Sequence, residues 1–182
     1  PVILDAKRAD IGNTNNGYVE AAFQWLGVNA ITVHPYLGAE ALKPFLERAD
    51  KGVIVLCRTS NPGAGEFQDL LVDGMPLYQI VARRVSAVWN KNNNCAVVVG
   101  ATYPEELEIV RQIVGDMPIL IPGIGAQGGD VEKTVTAGKN SHGQGMIINS
   151  SRGIIFASSG EDFADAARRE TIKLHNLINQ YL

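Results

Sequence analysis

Short apolar runs alternate with stretches whose apolar residues recur at helical spacing, and that alternation organises the chain. Val2-Ile3-Leu4 is apolar and partly β-branched, which reads as a buried strand. After it, Val19, Ala22, Phe23 and Leu26 fall on one helical face, with Thr14 as the expected N-cap and Gly27 as the stop. The unit then repeats. Ala30-Ile31-Thr32-Val33 predicts a strand and Ala39 to Arg48 a helix. Gly52-Val53-Ile54-Val55-Leu56-Cys57 predicts a third strand, followed by a loop rich in turn residues from Arg58 to Gly65 and a helix over Leu77 to Trp89. Cys95 to Val99 is a fourth strand, and Pro104 introduces a helix over Glu105 to Val114. Ile119-Leu120-Ile121 is the fifth strand, with a helix from Val131, and Met146 to Asn149 is the sixth, with a helical tail from Glu161 to Tyr181.

Strands that alternate with helices imply a parallel sheet with helices outside. The fold class expected is α/β of the (β/α)8 barrel type. Such a barrel needs eight units and typically ~250 residues. Six are legible here, within one expected domain over residues 1–182.

Composition narrows the function classes. With 182 residues and 46% hydrophobic content, the chain can bury one sizeable core. A net charge of −3 with the 16 basic residues scattered argues against a nucleic-acid footprint or a polybasic membrane contact. The partner expected is a small molecule. No apolar run is long enough to span a bilayer and the start has no leader pattern, so a soluble, cytoplasmic protein is expected. Cys57 and Cys95 sit in or beside apolar strands without metal-ligand spacing and read as reduced core residues.

The candidate chemistry starts where the first strand ends, at Asp5-Ala6-Lys7-Arg8-Ala9-Asp10. Alternation along a strand puts Asp5 and Lys7 on one side, with Asp10 three residues beyond. Two carboxylates flanking an ammonium favour each other's charged states, leaving the lysine protonated and ready to donate. An isolated Asp-x-Lys would be a surface ion pair. Three ionisable groups at the C-terminal end of a buried parallel strand instead mark the place where barrel enzymes build sites.

Two later loops add an anion-binding possibility. Pro122-Gly123-Ile124-Gly125-Ala126-Gln127-Gly128-Gly129-Asp130 holds four glycines in nine residues and leads into a helix that Asp130 caps. Such a loop suits either phosphate binding through backbone N–H groups or a plain flexible turn. Arg152 follows the next strand, and in a barrel the last two loops often share one phosphate that arginine can hold bidentately. A phosphorylated substrate is the reading favoured. Ser60 suits a substrate's polar edge or, more simply, a turn cap, and His34 reads as structural.

These residues resemble a known family. Asp5 through Thr14, Thr59-Ser60-Asn61-Pro62-Gly63-Ala64, Pro122 through Asp130 and Asn149-Ser150-Ser151-Arg152 are similar, in order and spacing, to the motifs of the orotidine 5′-monophosphate decarboxylases. The DxKxxD core is shared with related sugar-phosphate decarboxylases and aldolases that use magnesium, and the other three motifs separate them. The resemblance implies decarboxylation of orotidine 5′-monophosphate to uridine 5′-monophosphate in pyrimidine biosynthesis, without metal or organic cofactor. It implies that Lys7 protonates C6 of the pyrimidine and that Asp5 sits against the scissile carboxylate. It implies a homodimer in which Asp10 and Thr14 reach the partner's site. It also implies Ser60 on the pyrimidine, Gln127 and Arg152 on the phosphate, and Ile11, Pro122 and Ile124 lining the base. The family has two further strand–helix units and another catalytic lysine before this region, so an N-terminally incomplete chain is expected. The alternatives are a magnesium-dependent sugar-phosphate enzyme on the same barrel and a non-catalytic phosphate-binding fragment.

Overall fold

Each apolar run expected to be a strand is one. The computed structural model describes residues 1–124 and 130–182, which fold as two units, Pro1–Val98 and Val99–Leu182. The first unit opens with β1 (Ile3–Arg8) and α1 (Gly12–Val19), which runs on through a π-helical stretch at Glu20–Trp25. It stops at Gly27, whose φ of +65° costs little without a Cβ. β2 (Ala30–Val33), α2 (Gly38–Leu46) and β3 (Gly52–Arg58) follow. Then come α3 (Gly65–Gln68), the short strands β4 (Leu71–Val72) and β5 (Met75–Pro76), and α4 (Leu77–Arg84) with a π-helical continuation at Val85–Trp89. β6 (Cys95–Val99) is buried at every residue, as expected of a parallel strand covered on both faces. The sheet order here is β1-β2-β3-β6, with β1–β2 and β2–β3 parallel.

Three local features differ from the expectation. Thr14 is not the N-cap: the cap falls three residues earlier, at Ile11, and α1 begins at Gly12. Asn15 is the reason. Fully buried, its side chain accepts from Asp10 N at 2.9 Å and donates to the carbonyls of Asp10 and Ala41, both at 2.5 Å, which starts the helix early and ties it to α2. The second difference is a hairpin between the Arg58 loop and α4: β4 pairs antiparallel with β5 through Asp73-Gly74, whose φ values of +52° and +78° suit a two-residue hairpin turn. Third, the Asn92–Asn94 run is more than a separator. Asn94 Nδ2 lies within 3.3 Å of the carbonyls of Leu46, Arg48 and Lys51, and Asn92 Nδ2 donates to Leu46 O at 2.9 Å, so together they serve the open end of α2.

The second unit carries α5 (Pro104–Val114), β7 (Ile119–Pro122), α6 (Val131–Gly138), β8 (Met146–Asn149), α7 (Arg152–Ile155) and α8 (Phe163–Asn179). Pro104 opens α5 as expected, and Asp130 caps α6 by accepting from Lys133 N at 3.1 Å. β7 and β8 are parallel, with Ile119 opposite Met146 and Pro122 opposite Asn149. Gly138 is required by packing: a Cβ there would lie 2.9 Å from Ile121 Cδ1 and 3.1 Å from Met146 Sδ.

Arg111 on α5 organises the opposite end of these strands. Its Nε donates to Gly138 O at 2.8 Å, one terminal nitrogen to Gly115 O and Met117 O at 2.6 Å each, and the other to Gly145 O at 2.9 Å. Burial pulls this guanidinium below its ordinary pKa, against the opposing charge of Asp116. Among the described residues, no helix is long and apolar enough to cross a membrane.

Candidate active site

The expected site residues that the structure describes sit at or just beyond the C-terminal ends of parallel strands, where helices and loops leave the sheet. In the first unit, Asp5 and Lys7 lie on β1. Lys7 Nζ donates to Asp5 Oδ1 at 2.7 Å, and both side chains are about half exposed, at 49% and 52%. The alternation rule does not bring them together. β1 carries a bulge: Leu4 faces Ile31 and Arg8 faces Val33, so four steps along β1 match two along β2. Lys7 falls inside the bulge with φ +49°, a left-handed conformation uncommon for a residue with a side chain.

Two residues of the β2 segment strap that bulge down. Thr32 Oγ1, fully buried, accepts from Lys7 N at 3.0 Å and donates to Asp5 Oδ1 at 2.8 Å. His34 N donates to Arg8 O at 3.1 Å, and its ring Nε2 lies 3.2 Å from Ala9 O. The carbonyl can only accept, so Nε2 carries the proton. That is the structural role expected for His34. Burial alone would raise the Asp5 carboxyl, but the hydrogen bonds from Lys7 and Thr32, with the charge of Lys7, outweigh it and hold the group below its ordinary value.

Asp10 does not flank Lys7 in this chain. Its Oδ1 accepts from Ile11 N at 2.6 Å, and among the described residues no ion pair joins it to Lys7. The short loop after the bulge turns directly into α1, carrying the carboxylate onto the helix start. Ile11 is 67% exposed at that turn, and Thr14 is exposed on the first turn of α1.

Ser60 lies half-buried in the loop after β3. The loop's entry is fixed by residues with no motif-like signal. Gln68 accepts from Thr59 N at 2.9 Å and donates to Thr59 Oγ1 at 2.8 Å, replacing a strand partner. Arg58, buried beneath, pairs with Asp69 at 2.9 Å and sits 5.3 Å from the centre of the Tyr78 ring.

In the second unit, Pro122 ends β7 beside Asn149 at the end of β8. The two following loops meet where Ser150 Oγ donates to Ile124 O at 3.5 Å. Ile124 is buried at 3% exposure, whereas Arg152 is exposed at the start of α7. Gln127, the other residue expected at the phosphate, lies outside the described residues.

Thr32, Asn15, Arg58 and Gln68 escaped the sequence reading. Only Thr32 left a trace, as a polar residue inside an apolar strand two positions before His34. Chemically, the β1 end offers one ammonium, held by one carboxylate, with further N–H donors available to an incoming oxygen or carbanion.

Comparison with known proteins gives a consistent result. The family model described as "Orotidine 5'-phosphate decarboxylase / HUMPS family" matches residues 1–167. The orotidine 5'-phosphate decarboxylase of Janthinobacterium sp. is 56% identical over 182 residues, covering 100% of this chain and 67% of its own length. A solved structure of Leishmania donovani UMP synthase superimposes with a TM-score of 0.88 at 43% identity, covering 98% of this chain and 39% of that one. L. donovani OMP decarboxylase superimposes with a TM-score of 0.86 at 40% identity, covering 98% of this chain and 68% of that one. The chain thus spans about two thirds of the length of its curated relatives. The fold is of the barrel type expected, with about six of its strand–helix units here.

Proposed function

The chain belongs to the orotidine 5'-phosphate decarboxylase / HUMPS family, and from that membership we propose that its protein decarboxylates orotidine 5′-monophosphate to uridine 5′-monophosphate, with Lys7 as the proton donor. The observation that carries the reading is the Lys7 ammonium held 2.7 Å from Asp5 Oδ1 on a bulged strand end.

The bond between C6 and the carboxyl carbon breaks, its electron pair stays on C6, carbon dioxide leaves, and a proton from Lys7 Nζ ends on C6. The electron pair has no conjugated sink within the ring, so a fixed positive charge beside C6 is the largest lever available. At ~4 Å and an effective dielectric of ~20, one such charge pair is on the order of 4 kcal/mol. Asp5 serves twice: it orients the ammonium, and it meets the substrate carboxylate with like charge that departure of carbon dioxide relieves.

The remaining roles are those that membership of the family implies. Ser60 contacts the pyrimidine, Ile11, Pro122 and Ile124 line the base, and Gln127 with Arg152 holds the phosphate, whose binding energy orients a ring remote from it. In a homodimer, Asp10 and Thr14 act at the partner's site, a role consistent with an Asp10 that leaves Lys7 alone in its own chain. The reaction needs no metal, and the setting proposed is cytoplasmic.

Ultraviolet absorbance in EDTA tests this on the complete protein. Turnover of orotidine 5′-monophosphate that survives EDTA and disappears in Lys7→Ala is the expected result. Absence of turnover in the unaltered protein overturns the reading, and activity that returns only with magnesium points to sugar-phosphate chemistry instead.

A further inference from the structure

The bulge in β1 leaves the Lys7 N–H without the ladder partner a regular strand would give it, and a side chain of the neighbouring strand takes that place. Thr32 Oγ1 accepts from Lys7 N at 3.0 Å. A hydroxyl has one proton to give, and with Lys7 N–H on its lone pair that proton goes to Asp5 Oδ1 at 2.8 Å. One buried atom therefore holds both the backbone of the lysine and the carboxylate that orients its ammonium. Resting on the function proposed above, we propose that Thr32 is a positioning residue for the Asp5–Lys7 pair, setting where the ammonium stands and which carboxylate oxygen faces the substrate.

Three features support this. Lys7 adopts φ +49°, a conformation that persists only where its surroundings impose it, and the Thr32 bond acts on that residue's own nitrogen. Both donors to Asp5, Lys7 Nζ and Thr32 Oγ1, converge on Oδ1, so the two bonds fix the same carboxylate oxygen and with it the orientation of the group. Thr32 is also fully buried inside an otherwise apolar strand, where valine would pack as well and leave no polar group to satisfy. The hydroxyl is retained for its bonds rather than for packing. His34, two residues on, ties down the next two carbonyls of the same bulge, so the β2 segment acts as a template for the chain around Lys7.

The test compares Thr32→Val, Thr32→Cys and Thr32→Ser in the complete protein by two readouts, steady-state decarboxylation and the NMR titration of the Asp5 carboxyl carbon. Thr32→Val is expected to lower kcat about 10- to 100-fold, the scale of a misplaced reacting group, with KM nearly unchanged. The Asp5 midpoint rises as its hydroxyl donor is lost, Thr32→Ser returns both readouts toward the unaltered protein, and the weaker donor in Thr32→Cys falls between. Thr32→Cys carries the comparison if the valine variant folds poorly. Unchanged kcat with an unmoved Asp5 midpoint overturns the proposal. A midpoint that shifts with valine and returns with serine, in a protein that does not decarboxylate the nucleotide at all, sustains the positioning role while the decarboxylase reading falls.

Discussion

Two cations in this chain sit against oxygen acceptors in opposite ways. Arg111 is 8% exposed and spends four of its five N–H donors on the carbonyls of Gly115, Met117, Gly138 and Gly145. Lys7 is half exposed, bonded through its ammonium to one carboxylate, and held in a left-handed backbone conformation. Arg111 closes gaps that α5 and the loops before β7 and β8 leave open. One N–H is left, on a side chain that is itself buried, so it offers a ligand almost nothing. Lys7 keeps donors in reserve and stands in strained backbone that neighbouring residues hold in place. Saturation marks a scaffold, whereas spare valence on imposed geometry marks a site.

Removing each cation should therefore damage a different property. Arg111→Met is expected to have the largest effect on stability, about 3 kcal/mol or more, because buried carbonyls lose charge-assisted partners. Its turnover per folded molecule should stay the same, and the urea midpoint measured beside activity checks both. Lys7→Ala should leave that midpoint within about 1 kcal/mol of the unaltered protein, since an exposed ion pair contributes little. If Arg111→Met unfolds at the unaltered midpoint, the comparison breaks.

A smaller loss is expected at Asn94. Replacing it by alanine strips the shared donor from the carbonyls after α2 and should cost about 1 kcal/mol, with most of the effect visible as faster amide exchange at the residue 46–52 turn.

The smallest effect concerns pH. The Asp5 carboxyl is held below its ordinary value in the folded chain, so its stabilisation is present above the unfolded carboxylate pKa and lost as pH falls through the folded one. Half exposure keeps it to at most about 1 kcal/mol. Denaturant melts of Asp5→Asn and the unaltered protein should diverge at neutral pH and converge in acid. A constant gap down to pH 3 would show that the Lys7 and Thr32 bonds do not depend on the charge of Asp5.

Much of the architecture was legible because it rests on local rules. Apolar runs became strands, Gly27 ended its helix, Pro104 opened one and Asp130 capped one. The first cap differs from the local expectation because Asn15, bonded to Ala41 O 26 residues away, sets the helix start in place of Thr14. The Asp73-Gly74 hairpin is not legible along the chain despite its strong turn signal, because its strands are two residues each and carry no alternation. For the site, the Asp-x-Lys pair was visible, but its expected second carboxylate was not beside the lysine.

The sequence by itself determined the order of the six sheet strands and of the longer helices between them, the two cysteines as core residues, and the nearness of Asp5 to Lys7, because each follows from periodicity, burial preference or short spacing. Cys57 and Cys95 are indeed buried, with burial pushing their thiols up to about 12 and about 11. Only the tertiary structure decided the bulge that sets Lys7, the roles of Thr32 and Asn15, and the four carbonyls gathered by Arg111. Those depend on which strand or helix end lies opposite. A polar side chain's partner across 25 or more residues is chosen by register and packing, which no local pattern along the chain records.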